Sequence, residues 1–600
     1  MHVYVLPQAV KAACGSSFTW QAKEKEEQLL EEQRKKKWIV MAKRADFAAI
    51  AAHFHIDPVT ARLLRNRDLT TVEEIEMYLH GDLSSLHDAR KMKDMEKAAA
   101  LLEQKIREKQ KIRIMGDYDC DGIMSTCILL KGLAGLGALA DYRIPDRIKD
   151  GYGLNDTMIQ HAKEDGIDTI LTCDNGISAE KEVSLAKDLG MTVIVTDHHE
   201  VPKREEDGSD SLPPADAVVN PHRQDCAYPF QGLCGAGIAY KLMTVLYGRM
   251  GKTGSEALLP YAAVATITDV MDLVEENRIL VKEGLRMLPG LDNPGLSALF
   301  EENGIDISEV SAYHIGFIIG PCLNASGRLY TASLALKLLL TKDKEESQRI
   351  AGELVELNAS RKAMTEQGVR EAKVMIETGN LKRDKVLVVY LPDCHESIAG
   401  IIAGRIREAY YRPVYVLTDA ENGVKGSGRS IEEYDMYANL ARCADLLDRF
   451  GGHKMAAGVS LAPEKVDEFR KRLNADCALT EEDLIEKVRI DVPMPISYVT
   501  PELIEEFSLL EPFGKGNTKP VFAEKNVRVL SYRIVGANRN VMKLKLRTAD
   551  QYMADGVFFG NADAFAQWLS GREEISILYS PRLNTFRGVT SLEIRIDGYC

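Results

Sequence analysis

The strongest constraint on the fold is a strand–loop–helix rhythm in the first half of the chain. Three short apolar runs, at 112–115, 168–173 and 191–196, are each followed by acidic or glycine residues and then by a helix-like segment. Such runs are typical of buried strands, and their alternation with helices predicts a parallel sheet covered by helices. Functional side chains of a parallel sheet collect where its strands end. The rhythm therefore predicts an α/β fold with a site at one edge of the sheet.

The first apolar run leads into three aspartates at alternate positions, Asp117, Asp119 and Asp121. Alternate side chains of an extended segment share a face, so we expect the three carboxylates to converge. Converging carboxylates raise one another's pKa, and hard divalent cations relieve the repulsion. An EF-hand calcium loop has the same opening but needs Gly at position six and Glu at position twelve. Gly122 meets the first requirement and Ile128 fails the second, which disfavours calcium storage.

The second and third runs also end in groups that can bind metal. Asp174 follows the second run, and Asp197, His198 and His199 follow the third. A single strand-end aspartate is most often a helix N-cap, and a capping or surface position is equally the default for Asp269. Independent caps do not explain three successive strand ends of this kind. Imidazoles and carboxylates without thiolates favour Mn²⁺ or Mg²⁺ over zinc.

Composition narrows the class of protein. A chain of 600 residues predicts three or four domains. Its eleven cysteines form no CxxC pair, which indicates reduced cytosolic thiols, and Cys120 is expected to pack away from the acidic site. No run approaches 18 apolar residues and the N-terminus lacks a basic leader, so we expect a cytoplasmic protein with no membrane partner. The net charge of −14 does not exclude nucleic acid, because phosphate binding needs only a local basic track.

Changes of pattern along the chain indicate the domain organisation. The last hundred residues alternate apolar and polar positions between turns about every ten residues, as in a small β-barrel. The predicted segments are an N-terminal extension at 1–37, a helical cap at 38–103, an α/β domain with a parallel sheet at 104–341, a long connecting helix at 342–378, a second α/β domain at 379–484 and a β-barrel at 485–600.

Several motifs resemble one known family. GDYDCDG at 116–122, CDNG at 173–176 and TDHH at 196–199 resemble the DHH phosphoesterase superfamily. From Trp38 to the C-terminus the order of motifs is similar to that of the RecJ family of single-strand-specific exonucleases. The further segments that carry this resemblance are IPDRIKDGYGLN (144–155), VNPHRQDCAYPFQGLCGAG (219–237), GPCLNASGRL (320–329), KGSGRS (425–430), FGGHKMAAG (450–458) and LLEPFGKGN (509–517).

The resemblance implies a fold and an activity. The fold would be a parallel-sheet DHH domain, a connecting helix, an α/β DHHA1 domain and an OB-like barrel. The activity would be hydrolysis of single-stranded DNA from 5′ to 3′ into 5′-mononucleotides, with two Mn²⁺ or Mg²⁺ ions, in DNA repair and recombination. The implied partners are single-stranded DNA, a single-strand-binding protein and a helicase.

The resemblance also implies roles for residues of the acidic site. Two cations would share Asp174, His199 would contact the scissile phosphate, and Asp197 would orient its neighbours. The implied ligands are Asp117, Asp119 and Asp174 for one cation and Asp121, Asp174, His198 and Asp269 for the other.

Substrate contacts are implied outside the metal ligands. Glycine-rich segments let backbone amides approach a phosphate, and arginine or histidine adds charge. Two departures from the family, Asp146 where Asn is frequent and Cys394 near a position where Trp is frequent, put details of the substrate in doubt. The implied phosphate contacts are Arg147, Arg328, Ser427, Arg429, Gly452 and His453, and the candidate strand contacts of the barrel are Lys543, Lys545, Arg547, Phe586 and Arg587.

Two other functions remain open. One is a small phosphodiesterase that acts on dinucleotides or cyclic dinucleotides, although such proteins are generally shorter and lack the cap and the barrel. The other is a binding module that kept the fold and lost catalysis, although every metal position is intact here.

Overall fold

The computed structural model describes residues 36–147, 150–151, 153–204, 206–421, 423–586 and 588–600. The chain divides into two compact units. The first comprises 67–366 and 509–519, and the second comprises the described residues up to 66 together with 367–508 and 520–600. Nearly all of the expected extension at 1–37 lies outside the described residues.

The helices and strands follow in chain order. The α-helices are α1 (Phe47–Phe54), α2 (Pro58–Asn66), α3 (Val72–His80), α4 (Met95–Arg107), α5 (Cys120–Gly135), α6 (Asp156–Glu164), α7 (Glu180–Asp188), α8 (Gly235–Arg249), α9 (Leu259–Thr268), α10 (Glu275–Met287), α11 (Pro294–Glu302), α12 (Ala312–His314), α13 (Gly320–Leu329), α14 (Ser333–Leu340), α15 (Lys344–Thr378), α16 (Ala399–Tyr410), α17 (Met436–Ala441), α18 (Val466–Ala475), α19 (Pro501–Glu506) and α20 (Ala562–Leu569). The strands are β1 (Lys37–Val40), β2 (Lys111–Met115), β3 (Leu139–Arg143), β4 (Thr169–Thr172), β5 (Thr192–Thr196), β6 (Ala217–Val219), β7 (Leu387–Tyr390), β8 (Val414–Ala420), β9 (Gly423–Arg429), β10 (Arg449–Gly452), β11 (Ala456–Leu461), β12 (Lys487–Ile490), β13 (Phe522–Val535), β14 (Val541–Arg547), β15 (Met553–Phe559), β16 (Ile575–Phe586) and β17 (Val589–Tyr599).

The first unit contains a parallel sheet in the order β3-β2-β4-β5-β6. Its three central strands are the three apolar runs of the sequence, so the predicted parallel sheet is confirmed. The edge strands β3 and β6 were not predicted, because β3 is largely exposed and lacks an apolar run and β6 has only three residues. Helices pack on both faces of the central strands, whose side chains belong to two different core clusters.

The segment 509–519 belongs to the first unit by its contacts. Asn517 donates to the carbonyls of Leu510 and Pro512 at 2.7 and 2.8 Å and accepts from the Tyr78 hydroxyl at 2.8 Å. The buried guanidinium of Arg278 donates to the carbonyls of Leu509 and Leu510. These bonds attach the PFGKGN turn to helices of the first unit.

The segment 38–103, for which a helical cap is expected, contains all or most of four α-helices but begins within a strand. Residues 37–40 form β1, which pairs in parallel with β12. A four-residue strand whose partner lies some 450 residues later carries no local signal, since strand pairing depends on the partner as much as on propensity.

The second unit contains a mixed sheet in the order β10-β11-β9-β8-β7. Strands β7 and β8 are parallel, while β9, β10 and β11 pair antiparallel beyond them. The glycine-rich segments at 425–430 and 450–458 therefore lie largely in strands. Glycine-rich strands are hard to predict because glycine has low strand propensity.

The last strands form a closed barrel in the order β13-β14-β15-β17-β16, which confirms the predicted barrel. Helix α20 lies between β15 and β16 in the chain. Helix α15 coincides with the predicted connecting helix. Among the described residues, no helix combines the length and the apolarity needed to cross a bilayer.

Candidate metal centre

The acidic loop after β2 is built around the start of α5. Asp119 is the N-cap of this helix, and its Oδ1 accepts hydrogen bonds from the backbone N–H groups of Asp121 and Gly122 at 3.0 and 3.1 Å. The cap fixes a tight turn between strand and helix. Asp117 and Asp121 are buried on either side of it.

Asp121 also fixes the start of α8. Its two carboxylate oxygens accept from the backbone N–H groups of Gly235 and Ala236 at 2.6 and 2.8 Å. These amides satisfy a buried carboxylate at a helix N-terminus, where negative charge is favoured. The sequence did not predict this contact, which lies inside the segment 219–237 that resembles the family.

Asp174 follows β4 and adopts the left-handed backbone conformation, with φ of 60°. Aspartate and asparagine tolerate this region better than other non-glycine residues. Gly235 allows α8 to approach closely, since a Cβ there would lie 2.7 Å from the Asp174 Cβ and 3.1 Å from Asp121 Oδ2. The glycine therefore allows the two carboxylates to lie side by side.

The third strand end is organised by Asp197. Its Oδ1 accepts from the backbone N–H groups of His198 and His199 and lies 2.7 Å from His199 Nδ1, while Oδ2 accepts from Ile177 N at 2.9 Å. Both oxygens are thus engaged by the protein, and they hold the backbone of both histidines and the imidazole of His199 in place. The predicted orienting role of Asp197 agrees with these bonds.

The His198 imidazole lies near three of the candidate ligand carboxylates. Its Nε2 is 3.1 Å from Asp174 Oδ1, 3.6 Å from Asp121 Oδ2 and 3.9 Å from Asp269 Oδ2. Asp269 is the C-cap residue of α9, so it does occupy a capping position, and its side chain also approaches the site. His198 therefore connects residues from four separate segments of the chain.

Three groups of these side chains could each hold a metal ion. Within each group, the candidate ligand atoms all lie within 4.8 Å of one another. The groups are Asp117, Asp119 and Asp174; Asp121, His198 and Asp269; and Asp174, His198 and His199.

The electrostatics of the cluster fit divalent cations. Burial and the neighbouring Asp119 raise the pKa of Asp117 well above its ordinary value, and burial and the neighbouring Asp121 do the same for Asp174. Burial and Asp121 raise the pKa of Asp269 to about 8. Asp117 Oδ1 is buried and has no hydrogen-bond partner among the described residues. Oxygen and imidazole donors with excess negative charge suit Mn²⁺ or Mg²⁺.

The two histidines of the site have opposite pKa shifts. Burial lowers the pKa of His198. Burial acts in the same direction on His199, but the hydrogen bond and the charge of Asp197 outweigh it and raise the pKa to about 9. Burial raises the pKa of Asp197, but the hydrogen bond and charge of His199 together with the N–H of Ile177 outweigh burial and lower this pKa.

The cysteines near the site are packing residues. Cys120, Cys173 and Cys234 are buried, and burial raises the pKa of each thiol, that of Cys173 to about 12. A thiol with a raised pKa is a poor metal ligand, because the ligand form is the thiolate. The predicted packing role of Cys120 is confirmed.

Two predicted phosphate contacts lie in the first unit. The Arg147 guanidinium lies over the ring of Tyr118, 4.2 Å from its centroid. Arg328 is in the last turn of α13, one residue after Gly327, which abuts the Tyr118 carbonyl. In the same helix, Asn324 Oδ1 accepts from Cys120 N at 2.9 Å, a contact that no separate sequence signal indicated. Both arginines are thus carried by segments that contact Tyr118, in the middle of the acidic motif.

Four predicted phosphate contacts lie together in the second unit. Ser427 and Arg429 are on β9, and Gly452 ends β10, whose turn to β11 contains His453. Gly452 on β10 pairs with Ala457 on β11. Ala457 also pairs with Gly428 on β9, which lies between Ser427 and Arg429. Burial lowers the pKa of Arg429. The four residues therefore occupy one end of three adjacent strands.

Three of the five predicted strand contacts of the barrel lie on β14. Lys543 and Lys545 are exposed and alternate with buried residues, and Arg547 is half-buried. Lys545 Nζ lies 2.6 Å from Asp555 Oδ1, so it is already in an ion pair. Arg587 and the side chain of Phe586 fall outside the described part of the chain.

Comparison with family models matches three parts of the chain. Residues 111–266 match the DHH family, N-terminal domain; residues 383–478 match the DHHA1 domain; and residues 490–598 match the RecJ OB domain.

Curated relatives match over most of the chain. The single-stranded-DNA-specific exonuclease RecJ of Bacillus subtilis is 38% identical over 503 residues, which is 83% of this chain and 62% of that protein. The protein of the same name from Salmonella typhimurium is 34% identical over 571 residues, 90% of this chain and 96% of the relative. The chain thus spans less than two thirds of the Bacillus relative and nearly all of the Salmonella relative.

Solved structures match the same fold. RecJ of Thermus thermophilus in complex with Mn²⁺ has a TM-score of 0.80 and 31% identity, and the match covers 94% of this chain and 79% of that one. The complex of that protein with Mg²⁺ has a TM-score of 0.75 and 30% identity, over 94% and 78% of the two chains. The resemblance stated from the motifs is confirmed: this chain belongs to the RecJ family.

Proposed function

We propose that this chain is a metal-dependent exonuclease that hydrolyses single-stranded DNA from 5′ to 3′ into 5′-mononucleotides by two-metal catalysis. The observation that carries the proposal is the convergence of carboxylates and imidazoles from separate strand ends into overlapping groups with metal-ligand spacing. The relatives are named single-stranded-DNA-specific exonucleases, and the similar Thermus structures are complexes with Mn²⁺ and Mg²⁺. The direction of digestion and a role in DNA repair and recombination rest on the family.

The proposed ligand sets agree with the groups seen in the structure. Asp117, Asp119 and Asp174 would hold one cation, and these three form one group. Asp121, His198 and Asp269 form another, and His198 Nε2 lies 3.1 Å from Asp174, which would be shared by both cations. When bound, such cations lower the pKa of a water and stabilise charge on phosphoryl oxygens.

The remaining groups would position the strand. Asp197 holds His199 through Nδ1, so the opposite edge of that imidazole would contact the scissile phosphate. Arg147 and Arg328 would contact phosphates from the first unit. Ser427, Arg429, Gly452 and His453 would contact phosphates from the second, where glycines would let a phosphate approach the backbone closely and Arg429 would supply charge.

The barrel supports a strand as the substrate in preference to a dinucleotide. OB barrels bind single strands along a basic face, and the residues that match the RecJ OB domain include the exposed Lys543. A single-strand-binding protein and a helicase are the proposed protein partners, and the cytoplasm is the proposed location.

The proposal is tested by digestion of single strands labelled at the 5′ or the 3′ end, with Mn²⁺, with Mg²⁺ and with a chelator. We expect the 5′ label to be released first as a mononucleotide, and the chelator to stop release. A parallel assay on a dinucleotide separates the alternative. Hydrolysis of the dinucleotide alone, or release that survives chelation, would contradict the proposal.

A further inference from the structure

Two aromatic rings are stacked on the surface of the first unit. Tyr313 and Phe317 have ring centroids 5.1 Å apart and an interplanar angle of 28°. Their exposed fractions are 62% and 67%, although rings of this size are usually buried in a core or a binding site. Contiguous exposed apolar surface of this kind marks a binding site more often than a chance arrangement.

The pair belongs to a helical segment that contacts the metal centre. The segment consists of α12, a π-helical turn at Ile315–Ile319 and α13. Gly320 abuts Thr268, the residue before Asp269, and Gly327 abuts the Tyr118 carbonyl. Asn324 Oδ1 also accepts a hydrogen bond from the backbone N–H of Cys120. The segment therefore touches both the acidic loop and the end of the helix that carries Asp269.

The π-helical turn that carries Phe317 also packs against the helix whose C-cap is Asp269. Gly316, the residue before Phe317, abuts the side chain of Ile267, two residues before Asp269. Phe317 in turn stacks on Tyr313. The aromatic pair is therefore adjacent in the chain to residues that contact the helix end of the metal centre.

The local backbone is a second indication of function. Single π-helical turns inside α-helices are rare and occur frequently at functional sites. The π-helical turn here contains Phe317 and begins two residues after Tyr313. The irregular turn and the exposed rings therefore occur in the same short segment of the chain.

We propose that Tyr313 and Phe317 form a stacking platform for bases of the substrate strand next to the scissile phosphate. The inference rests on the proposed function, since a nuclease that binds a phosphate in the carboxylate cluster must place the adjoining base nearby. A base of a single strand presents a flat π-face, and stacking on an aromatic ring accepts every base. The platform would hold the bases independently of sequence while the cluster holds the phosphate.

The test compares two double variants in the full-length chain. Tyr313→Leu with Phe317→Leu keeps an apolar surface and removes the rings, whereas Tyr313→Phe with Phe317→Tyr keeps both rings. Stacking of one base contributes about 1–3 kcal/mol, which corresponds to a change of about 5-fold to 150-fold in binding. We expect the leucine variant to raise the apparent KM for a labelled single strand within that range, and the ring-swap variant to stay within about twofold.

An exposed hydrophobic residue at the opposite end of the sheet supplies the matched control. Leu139 is 53% exposed at the start of β3, whereas the carboxylates follow the other ends of the strands. Leu139→Ala removes exposed apolar surface away from the metal centre. We expect its apparent KM to match that of the unmodified chain.

An abasic substrate makes the test specific for bases. A strand with abasic residues near its 5′ end should have a raised apparent KM with the unmodified chain and little further increase with the leucine variant, because both changes remove the same contact. An unchanged KM of the leucine variant on a normal strand, or fully additive effects, would overturn the platform while leaving hydrolysis established.

A fluorescence readout separates the platform from the proposed function. A strand that carries 2-aminopurine near its 5′ end is bound in the presence of a chelator, so that no hydrolysis is needed. Stronger quenching by the unmodified chain than by the leucine variant supports the platform, and equal quenching overturns it. Absence of hydrolysis by the unmodified chain contradicts only the proposed function.

Discussion

The two α/β sheets of this chain build sites of opposite charge. The first collects aspartates at the ends of parallel strands, where burial and mutual repulsion raise the pKa values of Asp117, Asp174 and Asp269. The second places Arg429 on a glycine-rich strand, where burial lowers the pKa of its guanidinium. Each site holds charged groups in an environment that disfavours them. The contrast supports our proposals of a cation as the ligand of the first site and of a phosphate as the ligand of the second.

The largest expected effect comes from removing charge at the centre of the first site. Asp174→Asn should lower the rate of strand hydrolysis by at least about 1,000-fold, because the ligand that we propose both cations share loses its charge. Asparagine is chosen because it tolerates the positive φ of this residue, which alanine does not. The rate is measured by release of a 5′ label at saturating Mn²⁺.

A strand-end aspartate of the second sheet is the control for this change. Asp393 is exposed and follows β7 by three residues. Asp393→Asn should leave the rate within about twofold. Equal losses in both variants would show that the metal centre does not depend on the strand ends of the first sheet in particular.

The next effect concerns close packing in each sheet. Gly235→Ala would place a Cβ 2.7 Å from that of Asp174, so we expect a loss of about 100-fold in hydrolysis, as displacements near 1 Å produce in catalytic groups. Gly428→Ala would meet Met436 and Tyr415 at 2.7 and 2.8 Å, in the core of the second sheet.

The two glycine variants are compared in thermal unfolding and in calorimetric binding of Mn²⁺. Overpacking should lower the stability of both by about 1–3 kcal/mol. Only Gly235→Ala should weaken Mn²⁺ binding. Weakened Mn²⁺ binding by Gly428→Ala would contradict the assignment of the metal centre to residues of the first unit.

A smaller effect is expected from the residue that orients the histidines. Asp197→Asn keeps the shape of the side chain but removes its negative charge. The neutral amide would bind the backbone N–H groups and the His199 imidazole more weakly than the carboxylate does. Loss of such an orienting carboxylate costs about 10-fold to 100-fold in metal affinity or activity. Kinetics and Mn²⁺ titration of the same preparation would test this, and an unchanged variant would show that the histidines are held by packing alone.

The smallest expected effect concerns Asp216, a carboxylate next to the first sheet whose pKa is lowered where those of the cluster are raised. Asp216 differs from the cluster because it has a cation beside it. Burial raises its pKa, but the Lys187 ammonium, 2.6 Å away, and the N–H of Val193 outweigh burial and lower the pKa below 3.8. A depressed folded-state pKa contributes stability above the ordinary pKa, and this stability is lost as the pH falls through the folded-state pKa.

We therefore expect Asp216→Asn to destabilise the chain by less than about 1 kcal/mol at pH 6, as is usual for a partly exposed ion pair. The difference from the unmodified chain should shrink as the pH falls below about 3.8, the ordinary pKa of the group. Thermal unfolding across this pH range measures it, and a difference that does not depend on pH would contradict the assignment.

The sequence predicted the parts of the structure that depend on local periodicity. The spacing of Asp117, Asp119 and Asp121 and the following strand ends located the carboxylate cluster before any contact was known. The apolar runs predicted the central strands, and the alternating pattern of the last hundred residues predicted the barrel. These predictions succeed because a strand or a helix repeats its pattern of apolar residues over a few neighbouring positions.

Features that depend on distant partners could not be predicted from periodicity. The amides of Gly235 and Ala236 reach Asp121 from more than a hundred residues away. Strand β1 forms only against β12, and β9 is a strand although it carries three glycines. Asp269 entered the site through family resemblance, because a single aspartate after a helix has no distinguishing local pattern.

Calorimetric titration with Mn²⁺ tests the central claim most directly, since it needs no substrate. The account predicts that the unmodified chain binds two Mn²⁺ ions, and that Asp174→Asn, folded as judged by circular dichroism, loses high-affinity binding of at least one. Equal Mn²⁺ binding by the two proteins, or no binding by the unmodified chain, would contradict a metal centre at these strand ends.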